Sequence, residues 1–382
     1  MACLRLAVDW AAGAGVPICA VTVDHGLRPE SGAEAAFVAE TCAGLGVPHE
    51  TLHWACPDEA GNLQDQARRA RYALIGDWAR GNGVTHVLVA HTADDEAETF
   101  LMRLGREAGL DGLSGMRARW TDSGVTWLRP LLAARRVVLR DYLNVRGQEW
   151  VEDPSNVDPR YERVRMRETL AHLERAGIMA ENLNAVAGNL RAARDALDRV
   201  LADWARHHVR QEAGDLLLDA RAFAELPEDL ARRLLNAGLR WVSSSDYVPR
   251  AAKVLRQVEA DAPGQATLHG CLVTRTARAI RIAREPAAVA DEIAPAGALW
   301  DRRWRIIGPF QPEDEIRMTG EQGLAACPEW RETGLPRLTL IAGPAVWRGE
   351  TLVSAPLARP DSAWTARLAE GRDDFTTFLQ SH

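Results

Sequence analysis

Lysine is almost missing from this chain. Among the 46 lysine and arginine residues of the 382-residue sequence, Lys253 is the only lysine. The positive charge is therefore guanidinium, a planar fork suited to bidentate contact with phosphate or carboxylate. A biased genome accounts for the arginine equally well. Cysteine is sparse and scattered, at Cys3, Cys19, Cys42, Cys56, Cys271 and Cys327. No two form a Cys-x-x-Cys pair, which excludes a zinc knuckle or a disulfide framework and leaves buried apolar thiols as the expectation. Long apolar runs are missing too. The N-terminal apolar stretch is interrupted by Arg5 and Asp9 and precedes no small-residue cleavage site. Neither a membrane span nor a secretory leader is signalled, so the cytoplasm is expected. Internal repeats and low-complexity tails are absent from the sequence.

What is there is the composition of a soluble globular protein, 47% hydrophobic and 26% charged, long enough for two or three domains. The net charge of −7 argues weakly against nucleic acid. It is unevenly spread: residues 99–175 hold 14 arginines against 11 acids, a local +3.

Apolar periodicity predicts helices over 1–14, 32–45, 63–81 and 94–104, alternating with strands over Val16–Val23, His49–Trp54 and Val84–Ala90. The runs at 16–23 and 84–90 read as buried strands. This alternation implies βαβ units and a parallel sheet. From 166 to 240 the pattern is helical almost throughout. Strand-like runs follow near 266–283 and 336–357, with a linker expected over 285–298. The expected domains are an α/β catalytic domain over 1–165, a helical linker over 166–210, an α+β substrate or tRNA domain over 211–289, and a C-terminal domain over 290–382.

Four segments carry candidate chemistry. Val23-Asp24-His25-Gly26-Leu27-Arg28 follows directly on a strand, where ligands bind in parallel sheets; alone, it reads equally as a polar turn. His91-Thr92-Ala93-Asp94-Asp95-Glu96-Ala97-Glu98-Thr99 also follows a strand and puts four acids within five residues. Acids in a first helical turn suit the helix dipole, but four exceed what capping needs. Helical spacing lets Asp94, Asp95 and Glu98 converge, to hold Mg²⁺ or a cationic ligand. Asn62 to Tyr72 is a helix on which Arg68 faces the same way as Arg71 or Tyr72. Asp153-Pro-Ser-Asn156 opens a turn that leads into Arg163, Arg165 and Arg167, with Arg163 and Arg167 on one helical face. Guanidiniums so close repel one another unless phosphates or carboxylates answer them.

In this order the segments resemble the N-terminal domain of tRNA isoleucine lysidine synthetases. Gly109-Leu-Asp-Gly-Leu-Ser-Gly-Met116 and Arg129-Pro-Leu add to the likeness, which covers residues 1 to about 170. Thr267-Leu-His-Gly-Cys271 and Trp300-Asp-Arg-Arg-Trp-Arg305 resemble C-terminal parts of the family less distinctively. The resemblance implies an adenine nucleotide alpha-hydrolase-like sheet and ATP pyrophosphatase chemistry with Mg²⁺. Its partners are L-lysine and a tRNA(Ile) with CAU anticodon whose wobble cytidine is modified, and it allows a homodimer. It further implies that Val23, Asp24, His25 and Gly26 bind ATP, that Asp95 and Glu98 hold lysine, and that His91 and Arg71 lie near the reacting groups. Asp94 orients a metal or the backbone, and Arg163, Arg165 and Arg167 meet tRNA.

Two departures from the family pattern stand out. Glu96 replaces a usual glutamine, and Arg106-Glu-Ala-Gly109 replaces Arg-Gly-Ser-Gly. A larger one lies at the start. The family opens with a strand and a Ser-Gly-Gly-x-Asp-Ser loop that cradles phosphates. Met1-Ala-Cys-Leu-Arg-Leu matches the helix after that loop. The expectation is therefore an upstream stretch of roughly 20–40 residues, with the 382-residue chain alone inactive. The expected first strand would pair with the strands at 16–23 and 84–90. The rivals are a related tRNA thiolase or amidotransferase, and a catalytically inactive tRNA-binding homologue. Paired cysteines of the thiolase sort are absent from the sequence.

Overall fold

The computed structural model describes residues 1–26, 30–55, 63–122, 124–152, 160, 162–245 and 264–381. The sequence readings at Leu27–Pro29, Asn62, Asp153–Asp158, Tyr161 and Asp261–Pro263 lie outside the described residues. The chain divides into two compact units, Met1–Arg194 and Asp195–His382.

The first unit alternates helices and strands as the periodicity predicts. Its order is α1 (Ala2–Ala14), β1 (Ala20–Asp24), α2 (Ser31–Gly44), β2 (His49–His53), α3 (Leu63–Gly81), β3 (His86–Leu88) and α4 (Ala93–Leu104). Then come α5 (Leu110–Leu113), β4 (Arg119–Asp122), β5 (Val125–Leu128), α6 (Arg136–Val145) and α7 (Glu162–Arg175). Helix α1 stops where Gly15 turns left-handed at φ 67°, its N–H closing on the Ala11 carbonyl.

β1 pairs with β2 in parallel, from Ala20↔His49 to Asp24↔His53. β3 pairs with β5 in parallel, from His86↔Thr126 to Leu88↔Leu128, and β4 lies antiparallel on the far side of β5. Among the described residues β1 and β3 belong to separate sheets. The expectation of fully buried strands is corrected here. β1 is half-buried throughout, and Leu88 in β3 is 41% exposed. A β-branched, apolar run specifies extended backbone; burial also needs layers over both faces.

The apolar packing of this unit is modest. Ala97 and Leu101 of α4 meet Leu170 of α7 and Ala180. Ala79 of α3 meets Val125 and Trp127 of β5.

Helix α8 (Ala180–His208) runs across the boundary at residues 194 and 195. In the second unit the order as far as Arg284 is β6 (Val209–Glu212), β7 (Asp215–Asp219), α9 (Ala220–Ala224), α10 (Glu228–Ser243), β8 (Gly264–Leu268), β9 (Cys271–Arg275) and β10 (Ala279–Arg284); two smaller sheets follow. The strands β6 to β10 form one sheet in the order β6-β7-β10-β9-β8. Helix α10 lays Leu234, Leu235, Leu239, Trp241 and Val242 on a core shared with Leu216, Leu218, Ile280, Ile282, Phe375 and Phe378.

The β6–β7 hairpin corrects the helical reading of 166–240. Ala213 and Gly214 both take positive φ, 48° and 82°, as a two-residue hairpin turn with matched twist requires. Residues 285–298 are likewise not a plain linker. Pro286–Val289 forms a 3-10 turn, and Val289 is fully buried against Trp300, Trp304 and Ile316. Among the described residues no helix is long and apolar enough to cross a membrane.

Candidate active site

The segment 91–98 lies between the end of β3 and the first turns of α4. Thr92 caps α4: its N–H donates to Asp95 Oδ2 at 2.7 Å, and its hydroxyl accepts from the Asp95 N–H at 3.4 Å. This capping box uses one Asp95 oxygen. The other, Oδ1, accepts from Arg136 Nη2 at 3.2 Å and Arg163 Nη2 at 3.1 Å.

Glu98 is fully buried. Its Oε2 accepts from Arg163 Nε at 2.9 Å; its Oε1 accepts from Arg167 Nε at 2.9 Å and Arg136 Nη1 at 3.5 Å. Arg163 and Arg167 thus share a helical face, and carboxylates answer them. That qualifies their expected role: these two arginines point their donors into the acidic cluster. Arg165 is exposed on another face of α7, donating to the Arg160 carbonyl at 3.0 Å.

Three carboxylates do not converge on an open cation site. Asp94 turns to α6, accepting from Arg135 Nε at 3.1 Å and the Arg136 N–H at 2.6 Å. Glu96, on the opposite side, accepts from the Met116 N–H at 2.8 Å and Arg191 Nη2 at 2.7 Å. Among the described residues no group of three His, Cys, Asp or Glu is placed to hold a metal ion. Both Asp94 oxygens are engaged by α6, so Asp94 stands apart from Asp95 and Glu98. Beside the cluster, Asp94, Glu98, Arg135, Arg136, Arg140, Arg167 and Glu174 line a pocket of about 240 Å³.

His91 accepts at Nδ1 from Arg129 Nε, 3.2 Å away. Arg129 also donates to the Arg117 carbonyl at 2.6 Å and to the Tyr72 hydroxyl at 3.4 Å, and lies 4.1 Å from the centre of the Trp120 ring. Burial, then the Arg129 charge, presses the His91 pKa down to about 4.

At the carboxyl end of β1, Asp24 Oδ1 accepts from the Gly26 N–H at 2.9 Å, and Gly26 takes φ 61°. That backbone bond, then a side-chain bond from Ser31, lowers the Asp24 pKa. Arg71 from α3 reaches His25 Nε2, Nη2 at 3.1 Å and Nε at 3.3 Å. The His25 ring meets Trp54 edge-on, centroids 5.6 Å apart. His25 Nδ1 is buried and has no hydrogen-bond partner among the described residues. An orphaned polar atom here, beside an aromatic ring and a tight glycine turn, fits a nucleotide base or ribose.

The structure therefore brings Asp95 and Glu98 together with Arg136, Arg163 and Arg167, joins Arg71 to His25, and ties His91 to Arg129. Sequence reasoning gave no role to Arg129, Arg135, Arg136 or Arg191. For Arg129, Arg135 and Arg136 the signal was present in the local arginine excess over 99–175; Arg191 lies beyond it. Which carboxylate each arginine answers depends on how α4, α6, α7 and α8 pack. In the departure at 106–109, Glu107 stands where the resembled family has glycine and takes φ 55°. A glycine there would meet no strain.

A family model described as a PP-loop domain matches residues 1–174. That match fits an α/β, adenine nucleotide alpha-hydrolase-like reading of the first unit. A tRNA(Ile)-lysidine synthase of Ruegeria pomeroyi is 50% identical over 368 residues, 96% of this chain and 88% of that protein. Another, of a Wolbachia of Brugia malayi, is 35% identical over 79% of this chain and 72% of its own. A third, of Methylobacterium nodulans, is 38% identical over 71% of this chain and 83% of its own. A solved U34-tRNA thiolase, NcsA from Methanococcus maripaludis, superposes on 50% of this chain and 67% of that one at TM-score 0.43 and 12% identity, a likeness too slight to argue from.

Proposed function

The chain belongs to the tRNA(Ile)-lysidine synthase family, and from that premise we propose that it joins lysine to the wobble cytidine of tRNA(Ile) with a CAU anticodon, using ATP. The observation that carries this reading is 50% identity to one such synthase across 96% of the chain, with the polar cluster at the end of β3 inside the matched length.

The chemistry needs two steps. The cytidine O2 attacks the α-phosphorus of ATP, and pyrophosphate leaves. The lysine ε-amine, its proton passed to a carboxylate of the site or to water, then attacks C2, the C2–O2 bond breaks, and AMP leaves with that oxygen. Residues 1–165 hold the reacting groups, with the later domains left to tRNA. Val23, Asp24, His25 and Gly26 take the adenosine, and Arg71 orients His25. Free lysine brings two ammonium groups and a carboxylate. Asp95 Oδ1 and Glu98 offer the anions; Arg136, Arg163 and Arg167 balance them and offer donors to the carboxylate. Arg165 faces the tRNA backbone.

The test is a reaction of the purified full-length gene product with a tRNA(Ile) transcript, radiolabelled lysine and ATP. AMP and tRNA-bound lysine should form in equal amounts. AMP release with no lysine joined to tRNA would overturn the reading.

A further inference from the structure

The proton of His91 can be located from its partner. A guanidinium has only N–H donors, so the 3.2 Å contact from Arg129 Nε makes His91 Nδ1 the acceptor. A neutral imidazole that accepts at Nδ1 carries its hydrogen at Nε2. Protonation would put the ring's second hydrogen at Nδ1, facing the guanidinium. Arg129 is poorly placed to yield. It is buried, both its Nη groups donate, to the Arg117 carbonyl and the Tyr72 hydroxyl, and it stacks on Trp120. Trp120 in turn stacks on Trp127, rings 10° from parallel.

The other charges facing His91 are Arg68 on α3, Arg163 on α7 and Asp95 on α4. With Arg129 these make three cations to one anion, so the surroundings oppose an imidazolium. Among the described residues His91 makes its one side-chain hydrogen bond at Nδ1, which leaves Nε2 for a ligand.

We propose that Arg129 is a positioning residue that locks His91 as the neutral Nε2–H tautomer, so that His91 donates a hydrogen bond to a phosphoryl oxygen and does not take the proton of the incoming ammonium. The choice of phosphoryl oxygen rests on the proposed ATP-dependent reaction; the tautomer rests on geometry alone. A histidine whose pKa is held near 4 is a weak base. Accepting a proton from an ammonium of ordinary pKa, about 10.4, would be uphill by about six pKa units. As a donor it loses nothing: a neutral N–H, already oriented, can meet charge that develops on phosphate without reorganisation. His25 shows the mirror arrangement. Arg71 donates to Nε2, which leaves the hydrogen on the unpartnered Nδ1.

The test reads the tautomer directly. The full chain is labelled with ¹⁵N-histidine, its two-bond ¹H–¹⁵N correlations are followed from about pH 8 to about pH 5, and His91 is assigned by its loss in His91→Gln. The expected signal is an Nε2–H imidazole that does not titrate in that range. In Arg129→Met the ring should become a tautomer mixture whose pKa rises but stays below its ordinary value of about 6.5, because burial, Arg68 and Arg163 remain. There kcat should fall about tenfold or more with KM for lysine little changed. Arg129→Lys, which keeps a donor, should restore part of both. An Nδ1–H pattern or a titration between about pH 6 and about pH 7 in the unsubstituted chain would overturn the proposal, as would an unaltered tautomer in Arg129→Met. Failure of the tautomer result leaves the lysine-joining assay standing, and failure of that assay leaves the tautomer result standing.

Discussion

Residues 195–382 bury Leu216, Leu235, Leu239, Trp241, Phe375 and Phe378 in one continuous apolar core. Among the described residues, those at 1–194 bury two small apolar clusters and, beside them, carboxylates held by arginines. Glu98 is answered by three guanidiniums, Asp94 by Arg135, and Glu96 by Arg191. The difference follows from what each half has to present. A polar site at strand ends brings charge inside, and buried charge is tolerated only when paired and hydrogen-bonded. The first unit therefore depends mainly on directional contacts between helices, whereas the second sets such pairs beside a larger apolar core.

The comparison is not absolute. Arg303 sits fully buried in the second unit, its fork on the Val242 and Gly214 carbonyls and its faces near Trp241 and Trp304. Burial pulls its pKa down to about 10. Carbonyl dipoles and aromatic faces meet its charge, with Asp301 and Asp215 adding theirs, and the same unit buries carboxylates in the pairs Arg281–Asp215, Arg284–Asp301 and Arg348–Asp314.

The sharpest way to break the apolar half is Trp241→Ala. The ring is fully buried, and its loss should cost about 3–5 kcal/mol in urea unfolding. A loss below about 1 kcal/mol would mean the core there is loose.

The ionic half should break at Glu98. Glu98→Gln leaves three guanidiniums facing a neutral amide. Removing one partner of a buried pair costs about 3–5 kcal/mol; about 3 is expected here, because the arginine side chains are about a third exposed. In steady-state kinetics KM for lysine should rise far more than KM for ATP. Equal rises would confine Glu98 to holding α4, α6 and α7 together.

The smallest effect is expected on the outer face of α7. Arg165→Ala should shift unfolding by no more than about 0.5 kcal/mol. It should lower the slope of tRNA affinity against log salt by about 1, the release expected for one phosphate contact. An unchanged slope would take Arg165 out of the tRNA interface.

Much of the first unit was legible in sequence because its signals are local. The helices at 2–14 and 63–81 and the strand at 49–53 follow from apolar spacing and from glycine stops. The hairpin at 209–219 was missed because flanking helices share its leucine-rich composition and only Ala213-Gly214 marks the turn. Val289 looked like linker because a short 3-10 turn has too little periodicity to show a buried face.

The site divides along the same line. Sequence by itself fixed which residues gather at the ends of the first and third strands, since chain adjacency to a strand end determines that: Asp24, His25 and Gly26 at one, His91 to Glu98 at the other. It also determined that Arg163 and Arg167 share a face, since 3.6 residues per turn leaves no alternative. Only the tertiary structure decided what those groups face. Glu98 became a buried hub, and His91 a ring with an arginine on its Nδ1, because α6, α7 and the segment after β5 deliver Arg136, Arg163, Arg167 and Arg129 from 38 to 69 positions away. Partners so distant in sequence have no periodicity in common, and their pairing depends on the packing of whole helices and strands.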